Sequence, residues 1–235
     1  TPMLPAVVEA MLPYMKDHFG NPSSTHQFGR RTKTAIEQAR RQIAAQLGVE
    51  PRTICFTSGG TEADNMALHA SVDQLGCRRI LTCATEHSAV LKTARHLGQR
   101  DGVNCGMLQL DSDGRVDMDH LAATLSDGVP TVVSVMHGNN EVGIMQDIEA
   151  IGQCCWDHKA LFHSDTVQTM GHYAMDLGKL PIDFAACSAH KLHGPKGSGL
   201  LYVKDGHRIS AHIKGGSQER AMRGGTENLI GIIGL

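Results

Sequence analysis

The feature that most limits what this chain can fold into is a recurring unit: a short apolar run that stops at small, polar or glycine residues and gives way to a helical pattern. Thr53–Thr57, Arg79–Cys83, residues 103–110, Thr131–Met136 and Ala160–Asp165 each read as such a strand. Between them lie helical patterns. One runs from about Arg31 to Leu47, with Ile36, Ala39, Ile43 and Leu47 on one face and Gly48 as its stop. Others carry Met66, Leu68 and His69, run from Ser88 through about Leu97, and cover residues 147 to 159, while residues 3 to 16 are weakly helical. Strands separated by helices pair in parallel and are covered on both sides. The expected fold is therefore α/β: three layers, with a mostly parallel sheet and helices on both faces.

Length and charge narrow the function. A chain of 235 residues supplies one large domain, or one domain plus part of another. A net charge of -2 with interspersed signs leaves no basic face, which argues against nucleic acid and membrane as partners and for a small-molecule site. No apolar run approaches the ~20 residues of a membrane span, and the first residues lack a signal peptide's pattern, so a cytoplasmic protein is expected. The seven cysteines are odd in number and contain no C-x-x-C pair, which reads as free, buried structural thiols rather than disulfides or a zinc site.

The candidate chemistry falls at strand ends. Ser58-Gly59-Gly60-Thr61 joins a strand to a helix and would expose backbone N–H groups and hydroxyls to a phosphate, or serve as an ordinary cap. His87 follows the next strand as a ligand group or a helix cap; Asn140 lies in the polar segment His137–Gly143 as a ligand contact or a turn residue. Asp165, followed by Gln168, ends a strand and could face a cation or a protonated ring nitrogen, or cap the next turn. Asp111-Ser112-Asp113-Gly114 reads as a plain turn rather than a calcium loop. The stretch Ser188–Val203 is a strand, a Gly/Pro-rich loop and a second strand, with Lys191 between His190 and His193. Desolvation and neighbouring cations make Lys191 a candidate for a depressed pKa and attack on a carbonyl; a solvated loop lysine is the alternative. In an open parallel sheet these ends converge on one crevice. A phosphate cradle, a Schiff-base lysine and an acid for a pyridinium nitrogen are the parts a pyridoxal phosphate enzyme needs.

Seven windows then match one family in order: GNPSSTHQFGR, FTSGGTEADN, TEHSAVL, MHGNNEVGIMQDI, HSDTVQTMG, SAHKLHGPKGSGLLYV and MRGGTEN, spanning residues 20 to 228. The chain resembles the cysteine desulfurases of the class V aminotransferase group, pyridoxal phosphate enzymes of fold type I. The resemblance implies that Lys191 bonds the cofactor and moves the substrate α-proton, that His87 stacks on the ring and assists proton transfer, and that Asp165 keeps the ring nitrogen protonated. It implies that Gln168 bonds the phenolic oxygen, that Gly60, Thr61, Ser188 and His190 hold the phosphate, and that Asn140 lies near the substrate carboxylate. It implies a homodimer in which Thr226 reaches the neighbouring subunit's phosphate. The activity implied is conversion of L-cysteine to alanine with the sulfur passed to an enzyme cysteine as a persulfide, for iron-sulfur cluster or thiolation pathways with a sulfur-acceptor or scaffold protein. A related cysteine or cystine lyase, selenocysteine lyase or aminotransferase would share the same groups, and an inactive assembly partner is the reading from another class. On this resemblance residues 1–18 form an N-terminal segment and 19–235 a cofactor-binding large domain, with the C-terminal small domain absent. The persulfide cysteine and the carboxylate-binding arginine match no position here, and all seven cysteines read as structural.

Overall fold

The computed structural model describes residues 1–235. Seven strands form one sheet: β1 (Ile54–Thr57), β2 (Arg79–Thr82), β3 (Asn104–Met107), β4 (Thr131–Ser134), β5 (Leu161–Asp165), β6 (Phe184–Ser188) and β7 (Gly199–Val203). Their order across the sheet is β1-β7-β6-β5-β4-β2-β3. The pairs β2–β3, β2–β4, β4–β5 and β5–β6 are parallel, and β7 runs antiparallel to both β1 and β6. Because β7 inverts the direction twice, β1 points the same way as β6. The C-terminal ends of six strands and the start of β7 therefore share one edge of the sheet.

Seven helices accompany the sheet: α1 (Pro5–Lys16), α2 (Gln27–Gln46), α3 (Gly60–Asp73), α4 (Ser88–Leu97), α5 (Met118–Leu125), α6 (Ile148–Asp157) and α7 (Leu229–Ile233). Alternation along the strands sorts the core into two faces. Ile54, Phe56, Leu81, Val133, Phe162, Ala185, Cys187, Leu200 and Tyr202 pack with residues of α2, α5, α6 and α7. Their neighbours Cys55, Phe184, Ala186, Leu201 and Val203 pack under α3, and Ile80 and Val132 pack under α3 and α4. The three-layer, mostly parallel arrangement matches the expectation. His163 and Asp165 lie two apart on β5, so both face the α3 side.

Local boundaries differ where side chains intervene. Helix α2 starts at Gln27 rather than near Arg31, because the His26 ring accepts from Gly29 N at 3.3 Å and caps it. Helix α5, absent from the sequence reading, is capped by Asp117 accepting from His120 N at 2.9 Å and buries Leu121 and Leu125. The third strand is shorter than residues 103–110, spanning only Asn104–Met107, and Cys83 lies just beyond β2 rather than on it. The Asp111 turn is a turn, with its Oδ1 accepting from Asp113 N and Arg115 N at 2.9 Å each.

One buried ion pair ties the segment before α7 to β1. Arg40 on α2 donates to Glu219 through both terminal nitrogens, at 2.7 and 2.8 Å, and to Ile54 O at 2.7 Å. Phe56 N donates to the same Glu219 at 2.8 Å, and the guanidinium lies 4.5 Å from the Phe56 ring centre. Glu219, Arg220 and Ala221 all have left-handed φ values, 46°, 56° and 64°. Such a run is costly for residues with a Cβ.

Candidate active site

A cavity of ≈ 520 Å³ opens at the shared strand edge. Each wall comes from a different strand end. Ser58, Gly59, Gly60, Thr61 and Glu62 follow β1; His87 follows β2; Met136 and Asn140 follow β4. Asp165, Val167 and Gln168 follow from β5, Ser188, His190 and Lys191 from β6, and Lys196 and Gly197 precede β7. Asp64 on α3 completes the floor. Of the residues singled out in the sequence, Gly60, Thr61, His87, Asn140, Asp165, Gln168, Ser188, His190 and Lys191 are brought together here. Thr226 is not: it is exposed on the loop before α7 and does not line this cavity.

The β1–α3 turn is shaped by close backbone approach. Gly59 has φ +150°, which L side chains rarely adopt, and it sits under β7: a Cβ on Gly199 would meet the Cys187 carbonyl and stand 2.7 Å from Gly59 Cα. Gly60 opens α3, leaving unpaired N–H groups of the helix N-terminus toward the cavity. Glu62 fixes the turn from outside. Its carboxylate accepts from Ser58 N at 2.9 Å and from Arg223 Nε at 2.8 Å, and these bonds outweigh burial and hold it below the usual carboxylate range.

The opposite end is acidic and buried. One carboxylate oxygen each of Asp64 and Asp165 and one ring nitrogen of His87 lie within 4.8 Å of one another. Burial, then the nearness of the Asp64 carboxyl, pushes Asp165 up to about 7; its Oδ1 accepts from Val167 N at 2.9 Å. Glu86 is buried behind them, accepts from Met136 N, and is pushed well above the usual range by burial and by Asp165. His87 caps α4, its Nδ1 accepting from Ala89 N at 3.2 Å, so Nε2 is the nitrogen free for the cavity. Ser188 Oγ lies 3.4 Å from His190 Nδ1, and burial and Lys191 lower the His190 pKa. Asn139, beside Asn140, is a turn residue instead: its side chain donates to Thr85 O and accepts from Glu141 N and Val142 N.

The matching family model, aminotransferase class V, covers residues 1–235. This chain belongs to the class V aminotransferase family. It is 44% identical over 237 residues to a protein named cysteine desulfurase IscS from Dictyoglomus turgidum, covering 100% of this chain and 60% of that protein. A solved structure titled NifS-like protein superposes with a TM-score of 0.93 at 38% identity, over 100% of this chain and 65% of the other. Another, titled SspA in complex with cysteine, gives 0.93 at 34% identity over 100% and 68%. The chain thus spans about 60% of the length of the curated relatives it matches.

Class V aminotransferases depend on pyridoxal phosphate, and the cavity fits that group. An anion site with hydroxyls and free helix N–H groups lies at one end, a buried carboxylate at the other, and a lysine on the wall between β6 and β7. The trio Asp64, His87 and Asp165 also satisfies the spacing of a metal site, but it occupies the acid end of this same cavity. Sequence reasoning passed over Asp64, Glu62 and Lys196. Asp64 carried a readable signal: a carboxylate on the α3 face that Ala63, Met66 and Ala67 bury.

Proposed function

We propose that this chain is the cofactor-binding part of a pyridoxal-phosphate-dependent cysteine desulfurase acting on L-cysteine. The observation that carries this reading is the single cavity in which the Gly59-Gly60 cradle, Asp165, His87, Gln168 and Lys191 converge from four strand ends. The relatives' names agree with it.

Pyridoxal phosphate supplies, when bound, an electrophilic aldehyde and a ring that withdraws the electron pair released at the substrate's α-carbon. The residues of the chain do the rest. The α3 N-terminus, Thr61, Ser188 and His190 hold the phosphate. Asp165 Oδ2 keeps a proton on the ring nitrogen, and Gln168 donates to the phenolic oxygen. His87, whose Nε2 is free at the cavity wall, would cover the cofactor and assist proton transfer. Lys191 Nζ is the amine that would hold the cofactor's aldehyde and, when free, would move the substrate α-proton. Asn140 orients the substrate near its carboxylate. The sulfur goes to a thiol that is none of this chain's seven cysteines, since none lines the cavity.

The wider reading is a cytoplasmic homodimer that passes sulfur to an acceptor or scaffold protein for iron-sulfur cluster assembly or thiolation. Thr226, exposed and outside its own cavity, is available to a second subunit. All seven cysteines are free, which agrees with a reducing compartment, and no helix is long and apolar enough to cross a membrane. The test is reduction with borohydride after mixing with pyridoxal phosphate, followed by peptide mapping. One adduct on Lys191 is expected; no adduct, or adducts scattered over surface lysines, overturns the reading. In the full-length protein, alanine as product marks a desulfurase, and pyruvate with ammonia a lyase.

A further inference from the structure

Asp64 is buried without a hydrogen bond at Oδ1, although it borders the cavity. Its side chain is 1% exposed, and its close polar neighbour is His163 Nε2 at 3.4 Å. An ionised carboxylate in that position would be strongly disfavoured. His163, itself fully buried, is pushed down to about 4 by burial and is therefore neutral at physiological pH. Its Nδ1 lies 2.8 Å from Ser134 Oγ on the adjacent strand, in the register that pairs Ser134 with His163. With the Ser134 hydroxyl donating to Nδ1, the single ring N–H sits on Nε2, which like Asp64 Oδ1 has no hydrogen-bond partner and lies beside it without bonding it.

The groups around Asp64 are Asp165 and His163 from β5, Glu86 and His87 from the turn after β2, and Lys191 across the cavity. Asp64, Asp165 and Glu86 cannot all ionise in so small a buried volume. Asp165 is the one placed to face a cation in the cavity. We propose that Asp64 is a positioning residue of the cofactor pocket: buried beside the neutral His163 and close to Asp165, it retains its proton and leaves Asp165 as the sole negative charge facing the ring nitrogen. This deepens the cofactor-binding reading above and rests on it. Burial agrees with the assignment, pushing Asp64 up to about 8.

Two measurements test it. The first uses the cofactor-free chain. A carboxyl whose folded pKa is raised keeps its proton between the unfolded value near ~4 and about 8, so stability falls as pH rises through that window. Asp64→Asn removes one such proton, and its melting temperature should fall less than that of the unaltered chain between pH 6 and pH 8. An unchanged slope overturns the proposal. The second is cofactor binding followed by absorbance at pH 7. Asp64→Asn, the isostere of the neutral acid, should bind within about twofold of the unaltered chain, whereas Asp64→Leu, which cannot hydrogen-bond, should weaken binding about tenfold or more. Above pH 8 the unaltered chain should show an absorbance step that Asp64→Asn lacks. If Asp64→Asn loses the cofactor as severely as Asp165→Asn, Asp64 carries a required charge and the proposal fails. If the unaltered chain takes up no cofactor, the proposed function fails, while the melting slope still decides whether Asp64 holds its proton.

Discussion

Glu219→Gln tests whether the segment ahead of α7 is held by the buried ion pair or by its own packing. The carboxylate and its Arg40 partner have side chains 1% and 3% exposed, so neither charge is screened by water. The amide keeps one acceptor for Phe56 N but removes the negative charge and turns a donor toward the guanidinium. Arg40 keeps Glu37, 34% exposed, at 3.2 Å, so the cost sits at the lower end of the range for an unpaired buried ion, about 3 kcal/mol. Arg40→Met should cost a similar amount, because it strands Glu219. The double variant Arg40→Met/Glu219→Gln removes both charges, keeps an acceptor for Phe56 N and leaves Ile54 O short of a partner, at about 1–3 kcal/mol. Urea unfolding of the four proteins should therefore give a double variant well above the sum of the singles in stability, with a coupling of about 2 kcal/mol or more. The left-handed run Glu219–Ala221 adds a second readout: once the anchor is weakened, nothing offsets its strain, and cleavage by protease within residues 213–226 should accelerate. A cost below about 1 kcal/mol for Glu219→Gln, or additivity in the double variant, would refute the reasoning.

Two further outcomes follow from the cavity walls and the thiols. Gly199→Ala should destabilise the protein by about 2 kcal/mol or more and weaken cofactor binding, measured by unfolding and by absorbance, since the added Cβ drives β7 against Gly59 in the cradle. Burial pushes Cys77, Cys83 and Cys187 up to about 12, and Cys55 and Cys155 further still. A thiol reagent at neutral pH should thus modify only the half-buried Cys105 and Cys154 until the protein unfolds; mass spectrometry after incubation with pyridoxal phosphate and L-cysteine should find no persulfide on any of the seven.

Much of the candidate site could be read along the chain because each part is local. The Gly59-Gly60 turn, His87, Asp165 and Lys191 each sit where an apolar run stops, and strand ends in a parallel sheet meet at one edge. What was missed depends on distance. Arg40 and Glu219 lie 179 positions apart, and nothing near either one marks it as buried. Glu86 and His163 look like ordinary polar residues until the sheet and α3 close over them. Cap geometry explains the smaller errors: a histidine opened α2, and a helix of eight residues was too short for its periodicity to register at α5.

The sequence by itself determined the layers and the chemistry. Period-2 alternation divides the strands other than edge strand β3 between two covered faces, and glycine is required where the cradle backbone passes under β7. The tertiary structure decided the order of the strands, the inversion at β7 that brings the start of β7 to the same edge as the other strands' C-terminal ends, and the protonation of the acids behind Asp165. Those depend on which distant segments exclude water from a given side chain, and burial belongs to the assembled sheet and its helices rather than to any stretch of residues.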